Sequence, residues 1–395
     1  MDEFTKSIRR PFFYDMIMDN NNVYFSLAQY NALCQASLVD DQIEIINTFP
    51  NMPAYKWRGY VGVYKLQERL LLSSAEQEDN LLLYDLSNES FSRIINNKKI
   101  SFYSFQVFDY KENFYIVSAD TAEIVKIETE GLEMRTFDNH EQVLKDAETG
   151  ISVRLGNRIY IPVNKKKILL AFDLEKEEYE SFSFPSNISQ IFTMSYHDSR
   201  FFISGLDRRV YAWKLFDEKA DEIAGIPEYV KPFYLGNVSF SHSLIYKDVL
   251  FLFPCFADAI LKVNILTGKV EKLEISGEEE SAEEIDWQLK NGRYYPAKYS
   301  IVQRQNGKVF FRSSKTRLLY ELDLKTNQIT KHDFKIRNVY QNKIYPPAIN
   351  GILSENYYSD GLRTLIENLG ENDRDISSFQ GQENGKIIYY KTVNG

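Results

Sequence analysis

The feature that most constrains this chain is a layout that it repeats. "VLFLFPCFADAILKVNILTGKVEKLEI" (Val249–Ile275) and "KVFFRSSKTRLLYELDLKTNQITKHDF" (Lys308–Phe334) share few residues but one order of events. An apolar run meets a small or polar kink. A second apolar run ends in a turn, and a third run alternates. Equivalent stretches begin at Asn22, Arg69, Asn113, Arg158 and Arg200, which makes seven units. Each is preceded by one more short run, such as "FFYDMIM", "YVGVYKL" or "YSIVQR".

Alternation with a period of two, rich in β-branched and aromatic residues, marks strands and excludes a helical solenoid. Tyr and Phe, 27 of each, suit such half-buried pleated surfaces. Four strands per unit, recurring about every 40 to 60 residues, predict an all-β fold, a seven-bladed β-propeller of four-stranded antiparallel blades. The blades are expected at about 10–49, 58–96, 100–138, 150–185, 190–227, 238–276 and 298–334. "DNNN", "LGNR", "QNGK" and "LTGK" sit where hairpin turns are needed, with Asn or Gly for positive φ. A blade buries its faces only against its neighbours, so any sequence with the right alternation serves and the repeats can diverge.

The chain divides into a propeller, 1–334, and a C-terminal extension, 335–395, packing on it. Two connections between blades read as short helices. "SAEEIDWQLKNG" has Ser281 and Glu284 as a capping box, and "DNHEQVLKDAETG" has Asp138 and Glu141 in the same relation. In the extension, Leu362, Leu365, Ile366 and Leu369 share a helical face, and "GKIIYYKTVNG" reads as a spare strand able to cover a blade edge.

The formal charge of −9 argues against a general nucleic-acid binder. The N-terminus shows no signal-peptide h-region, and no apolar run is long enough to span a membrane. Two distant cysteines, Cys34 and Cys255, are no disulfide framework. A cytoplasmic protein is expected.

On these features the chain resembles the seven-bladed β-propeller superfamily of WD-repeat, kelch-like and quinoprotein-like proteins, over about 85% of its length by pattern. The "GH…WD" pair, the kelch double glycine and the sialidase box are absent. "FPCFADAILKVNILTG" is similar to the segment joining the second and third strands in poorly characterised bacterial propellers of kelch-like kind. That resemblance implies the fold and no activity.

Within a blade, the turns after the first and third strands lie on one face of the ring. The connections between blades, and the loops after the second strands, lie on the other. The first face is mostly acidic or amidic (Asp40, Asp41, Glu128, Glu175, Glu177, Glu218) and reads as a solubilising surface. The second face has longer loops with aromatic and basic residues, the types that anchor interfaces. Candidate binding residues are Tyr55, Trp57, Arg58 and Tyr60 in one loop and Tyr229, Phe233 and Tyr234 in another. Arg208 follows a second strand, and Trp287, Arg293 and Tyr295 precede blade 7. The same aromatics could instead plug the ends of the ring.

Four isolated histidines (His140, His197, His242, His332) show no metal-ligand spacing. No phosphate loop or nucleophile elbow occurs, and no cofactor or metal is expected. The expected function is a non-enzymatic binding or scaffold propeller. It would hold a protein partner, for which a modifying enzyme such as a glycosyltransferase is a candidate by analogy of fold. The alternative is a carbohydrate hydrolase or lyase, or a non-catalytic glycan binder, with channel-mouth carboxylates among Asp15, Asp79, Asp120, Asp207 and Asp258.

Overall fold

The structure, a computed structural model, describes residues 11, 13–27, 32–50, 60–74, 80–95, 105–119, 121–137, 147–232, 238–255, 257–276, 298–313 and 316–336. The strands form seven sheets, each of four consecutive antiparallel strands. Blade 1 is β1–β4 (Met16–Asp19, Asn22–Leu27, Ala32–Ser37, Gln42–Thr48). Blade 2 is β5–β8 (Tyr60–Leu66, Arg69–Ser74, Asn80–Asp85, Ser90–Ile95). Blade 3 is β9–β12 (Phe105–Tyr110, Asn113–Ser118, Ile124–Glu128, Met134–Phe137). Blade 4 is β13–β16 (Val153–Leu155, Arg158–Val163, Ile168–Asp173, Glu178–Ser183). Blade 5 is β17–β20 (Thr193–His197, Arg200–Ser204, Arg209–Trp213, Asp221–Gly225). Blade 6 is β21–β24 (Phe240–Tyr246, Val249–Pro254, Ile260–Asn264, Val270–Leu273). Blade 7 is β25–β28 (Tyr299–Gln305, Lys308–Ser313, Leu319–Asp323, Ile329–His332).

Burial follows position in the blade. The second strand of all seven blades is buried at every residue after its first, as in Arg69–Ser74 and Lys308–Ser313. These strands are covered on both faces and read as unbroken apolar runs. Fourth strands have at most one buried residue each among those described, and Glu178–Ser183 is mostly exposed. First strands of neighbouring blades touch one another, β1 with β5 and β25, and β17 with β13 and β21. The first strands therefore gather at the ring's centre.

Successive side chains on a strand point to opposite faces, and each face serves a different joint. Phe114 packs with blade 2, while the next residue, Tyr115, packs with blade 4. Seven apolar clusters result, and each draws its residues from two adjacent blades. There is one for each of the seven joints, so the ring is closed.

Closure between blades 7 and 1 has a device of its own. β29 (Lys335–Ile336) leaves blade 7 and pairs parallel to Gln42 and Ile43, adding a fifth strand to blade 1. Just before it, Phe334 enters the joint with Phe13, Met18 and Phe25. His332 stands 2.8 Å from Asp41 and 3.3 Å from Glu321. The repeat pattern stops at Phe334, and a two-residue strand carries no periodicity, so nothing in the sequence marks it.

All seven first hairpins are two-residue turns, and each has positive φ at its first residue: Asn20, Gln67, Lys111, Gly156, Asp198, Lys247 and Asn306. Such turns match strand twist and favour Gly or Asn. Gln67, at φ 52°, holds an unfavourable conformation for a side chain of its kind. Gln67→Gly should raise stability by about 0.5–1 kcal/mol, the relief of left-handed strain less glycine's entropic cost. Thermal unfolding would show it as a higher midpoint, and a lower one would mean that the Gln67 side chain contributes contacts of its own.

Among the described residues the one helical turn is a 3₁₀ turn at Asn164–Lys166, and no helix is long and apolar enough to cross a membrane. The helix expected at 281–292 and the extension beyond Ile336 lie outside the described residues, as does 138–146 of the helix expected over 138–150. The end of that segment, 147–150, is not helical, and Thr149 bridges to Val163.

Candidate binding surface

Of the candidate binding residues, Tyr60, Arg208 and Tyr229 lie within the described residues; Tyr55, Trp57, Arg58, Phe233, Tyr234, Trp287, Arg293 and Tyr295 lie outside them. Tyr60 is 4% exposed and packs on Phe49, ring centroids 4.6 Å apart, in the joint of blades 1 and 2. It is a core residue.

Arg208 and Tyr229 meet at one feature. The connection from blade 5 to blade 6 makes a turn at Pro227–Val230, closed by the Val230 N–H donating to the Pro227 carbonyl at 3.1 Å. The Arg208 guanidinium donates to the carbonyls of Ile226 (3.4 Å), Pro227 (2.5 Å) and Val230 (3.1 Å). All three contacts leave one nitrogen, Nη2, whose two N–H groups the carbonyls share. Downstream, Asp258 fastens the same connection. Its carboxylate accepts from the Lys231 N–H at 3.1 Å, and its own N–H donates to the Lys231 carbonyl at 3.0 Å. Val230 is fully buried between these anchors, and Tyr229 is 51% exposed. Its hydroxyl leans on the Val270 carbonyl of β24 at 3.4 Å. The turn thus presents one exposed aromatic side chain, at the ring's rim, on backbone held from both sides.

At the ring's centre, side chains bridge first strands. Asp15 accepts from the Met16 N–H (2.9 Å) and, across the joint, from the Val63 N–H (3.2 Å). Burial pushes its carboxyl up to about 7, against these bonds and one from Tyr64. Ser243 of blade 6 bonds Thr193 (3.1 Å) and Ser195 (2.8 Å) of blade 5. Burial pushes neighbouring His242 down to about 4, and its Nδ1 stands 3.0 Å from the Ser241 hydroxyl.

The other described carboxylates of the hydrolase alternative are engaged locally. Asp207 accepts from the Tyr211 hydroxyl at 2.6 Å, and Asp258 anchors the connection above. Asp79 and Asp120 lie outside the described residues. No group of three or more His, Cys, Asp or Glu suited to a metal ion occurs among the described residues. Cys34 and Cys255 are buried free thiols.

The acidic turn face is more than a solubilising surface. Glu177 pairs with Lys126 (3.2 Å) and Arg135 (2.7 Å) of the preceding blade, and Glu175 accepts from the Tyr110 hydroxyl at 2.7 Å. Asp41 makes the His332 contact. These acids join blades. Their partners lie 42 to 291 residues away along the chain, where local pattern offers no signal.

No protein-family model and no curated protein sequence matches the chain. Solved structures do resemble it. The computationally designed protein Ika8 has a TM-score of 0.52 at 8% identity, over 82% of this chain and 88% of that one. PorZ, described as an essential bacterial surface component of the type-IX secretion system of Porphyromonas gingivalis, has a TM-score of 0.50 at 10% identity. That match covers 83% of this chain and 38% of PorZ. At such identities the likeness reaches the fold alone: the chain is a seven-bladed β-propeller.

Proposed function

We propose that this protein is a non-enzymatic binding or scaffold propeller, of kelch-like kind and working in the cytoplasm, that holds a protein partner. The observation that carries the reading is the turn at Pro227–Val230, where Tyr229 is 51% exposed on backbone fastened by Arg208 and Asp258. A side chain presented on pre-ordered backbone loses little entropy on binding. Tyr is among the residue types that dominate interface energies. The carbohydrate-hydrolase alternative is not favoured, because its described carboxylates are engaged by backbone and tyrosine groups.

Capture of a stoichiometric protein from the native lysate tests the reading. Tyr229→Ala should weaken capture by about thirtyfold, the effect of losing an interface anchor worth ~2 kcal/mol, at an unchanged melting midpoint. Undiminished capture by the variant would remove Tyr229 from the interface. Arg208→Ala should weaken it too, with a lowered midpoint, because the Ile226, Pro227 and Val230 carbonyls lose the guanidinium that ties them together.

A further inference from the structure

The joint of blades 6 and 7 holds a groove of about 410 Å³ on the turn face. Four lysines line it, Lys247, Lys262, Lys269 and Lys325, with one carboxylate, Glu271. Four positive charges against one negative leave +3, in a chain whose net charge is −9. Glu271 is already engaged, by Lys262 at 3.1 Å and Lys269 at 2.7 Å, and both contacts hold its carboxyl below the usual range. Asp323, at the groove's edge, accepts from the Lys325 and Thr326 N–H groups of its own turn.

The joint of blades 3 and 4 shows what such a groove contains when it is filled. The two joints correspond residue by residue. The register is the same, with one reversal of charge: Lys126 faces Arg135 across β11 and β12, whereas Lys262 faces Glu271 across β23 and β24. The turns that close them, from Asp173 and from Asp323, have the same geometry. Glu177 and Asn327 have φ 58° and 59°, and each donates its N–H at 2.8 Å to the carbonyl four residues back. In the joint of blades 3 and 4, Glu177 enters between Lys126 and Arg135, and Glu175 reaches Tyr110 at 2.7 Å and Lys111 at 3.9 Å. In the joint of blades 6 and 7, Lys325 stands at the place of Glu175 and Asn327 at that of Glu177, while Tyr246 and Lys247 repeat Tyr110 and Lys111.

Two other joints fill the same place differently. At blades 7 and 1 the turn residue is Asp41, against His332. At blades 5 and 6 it is Gly268, set so close to the Ile223 carbonyl that a Cβ would lie 2.3 Å from it. Backbone occupies that joint.

We propose that the groove between blades 6 and 7 is a docking site for an acidic peptide segment of a partner, one carrying two carboxylates two residues apart. Those carboxylates take the places that Glu175 and Glu177 hold in the joint of blades 3 and 4. One competes with Glu271 for Lys262 at the base of the groove, and the other meets Tyr246 and Lys247 at its mouth. Lys325 adds attraction where the filled joint has an acid. No residue of the Tyr229 turn lines this groove, although the Tyr229 hydroxyl reaches Val270, next to Glu271, so each assignment has its own variants and can fail without the other.

The test uses the full chain and a fluorescein-labelled, end-capped peptide, Asp-Leu-Glu-Lys-Glu-Glu, which copies residues 173–178. A control peptide has Gln at the third and fifth positions. Fluorescence anisotropy at low and moderate salt should show binding of the acidic peptide that weakens with salt, and at least about tenfold weaker binding of the control. Lys262→Gln with Lys325→Gln should weaken binding about tenfold. Lys325→Glu and Asn327→Glu, combined with Glu271→Arg, rebuild the filled arrangement, in which Glu177 lies between Lys126 and Arg135. This triple variant should abolish binding while keeping or raising the melting midpoint, which separates a blocked groove from a damaged fold. Equal binding of both peptides, affinity unmoved by either variant, or no binding by the full chain up to millimolar peptide would overturn the proposal. Displacement by inorganic phosphate as readily as by unlabelled peptide would also overturn it, leaving a simple anion site.

Discussion

Phe334→Ala is expected to lower the stability of the whole ring by about 3–4 kcal/mol, the usual cost of emptying a buried aromatic site. Phe334 is 6% exposed, stacks against Phe25 at 6.4 Å and against His332 at 6.2 Å, and fills the joint where the two ends of the propeller meet. Other joints are held by a continuous chain running from blade to blade. Between blades 7 and 1, packing and hydrogen bonds must close the ring. Asp41 gathers most of those bonds. Its carboxylate meets His332 at 2.8 Å and accepts from the Asp333 N–H at 3.1 Å, and its carbonyl accepts from the Lys335 N–H at 2.8 Å. Loss of the phenyl ring also loosens the approach of β29 to β4, so blade 1's edge should open before the rest unfolds. Denaturant unfolding measures the first effect, and hydrogen exchange at Gln42 and Ile43 measures the second. A loss below about 1 kcal/mol would mean that the joint collapses to refill the cavity.

The second large effect depends on pH. Asp15 has its carboxyl raised from 3.8 to about 7, chiefly by burial. The folded protein therefore binds a proton that the unfolded chain releases between about pH 4 and pH 7. Stability is highest below the unfolded value, falls as pH rises through this window, and levels off above about 7. A shift of this size corresponds to ~4 kcal/mol; Asp15 is only partly buried, and water screening at the ring's centre reduces this to about 2–3 kcal/mol. Asp15→Asn removes the titration. The difference in stability between the protein and this variant should shrink or reverse in the variant's favour from pH 5 to pH 8. Parallel pH profiles would mean that Asp15 ionises as freely in the folded ring as in the unfolded chain. Below pH 4 the opposite slope sets in. Asp173 and Asp323 accept N–H bonds in their turns and lie below the usual range, so their contribution is lost as pH falls through their folded values.

Much of the architecture was legible in the residues, and the reason is local. A run such as "RLLLSS" is buried on both sides and reads as apolar throughout. "LGNR" and "QNGK" carry the residues that two-residue hairpins demand, and Gly156, Asn306 and Gly307 do adopt positive φ. The candidate site was far less legible. Tyr60 and Tyr229 are one residue type, and the sequence assigns both to connections between blades, although Tyr60 in fact opens β5. The first is core and the second is half exposed, because only the neighbouring blade decides which is covered. Arg208 reads as a free basic group, but three carbonyls of a connection about twenty residues on enclose it.

By itself, then, the sequence determined the number of blades, the order of strands and the chemistry of the turns. Those properties depend on side chains within a few residues of one another. Only the tertiary structure decided which charges meet. Glu175 and Glu177 find Tyr110, Lys126 and Arg135 across a joint, and Lys262 and Lys247 find Lys325 and Asn327 instead. It also decided that a two-residue strand closes the ring. The reason is geometric: a ring brings residues together according to blade and register, and contacts across a joint leave no period along the chain.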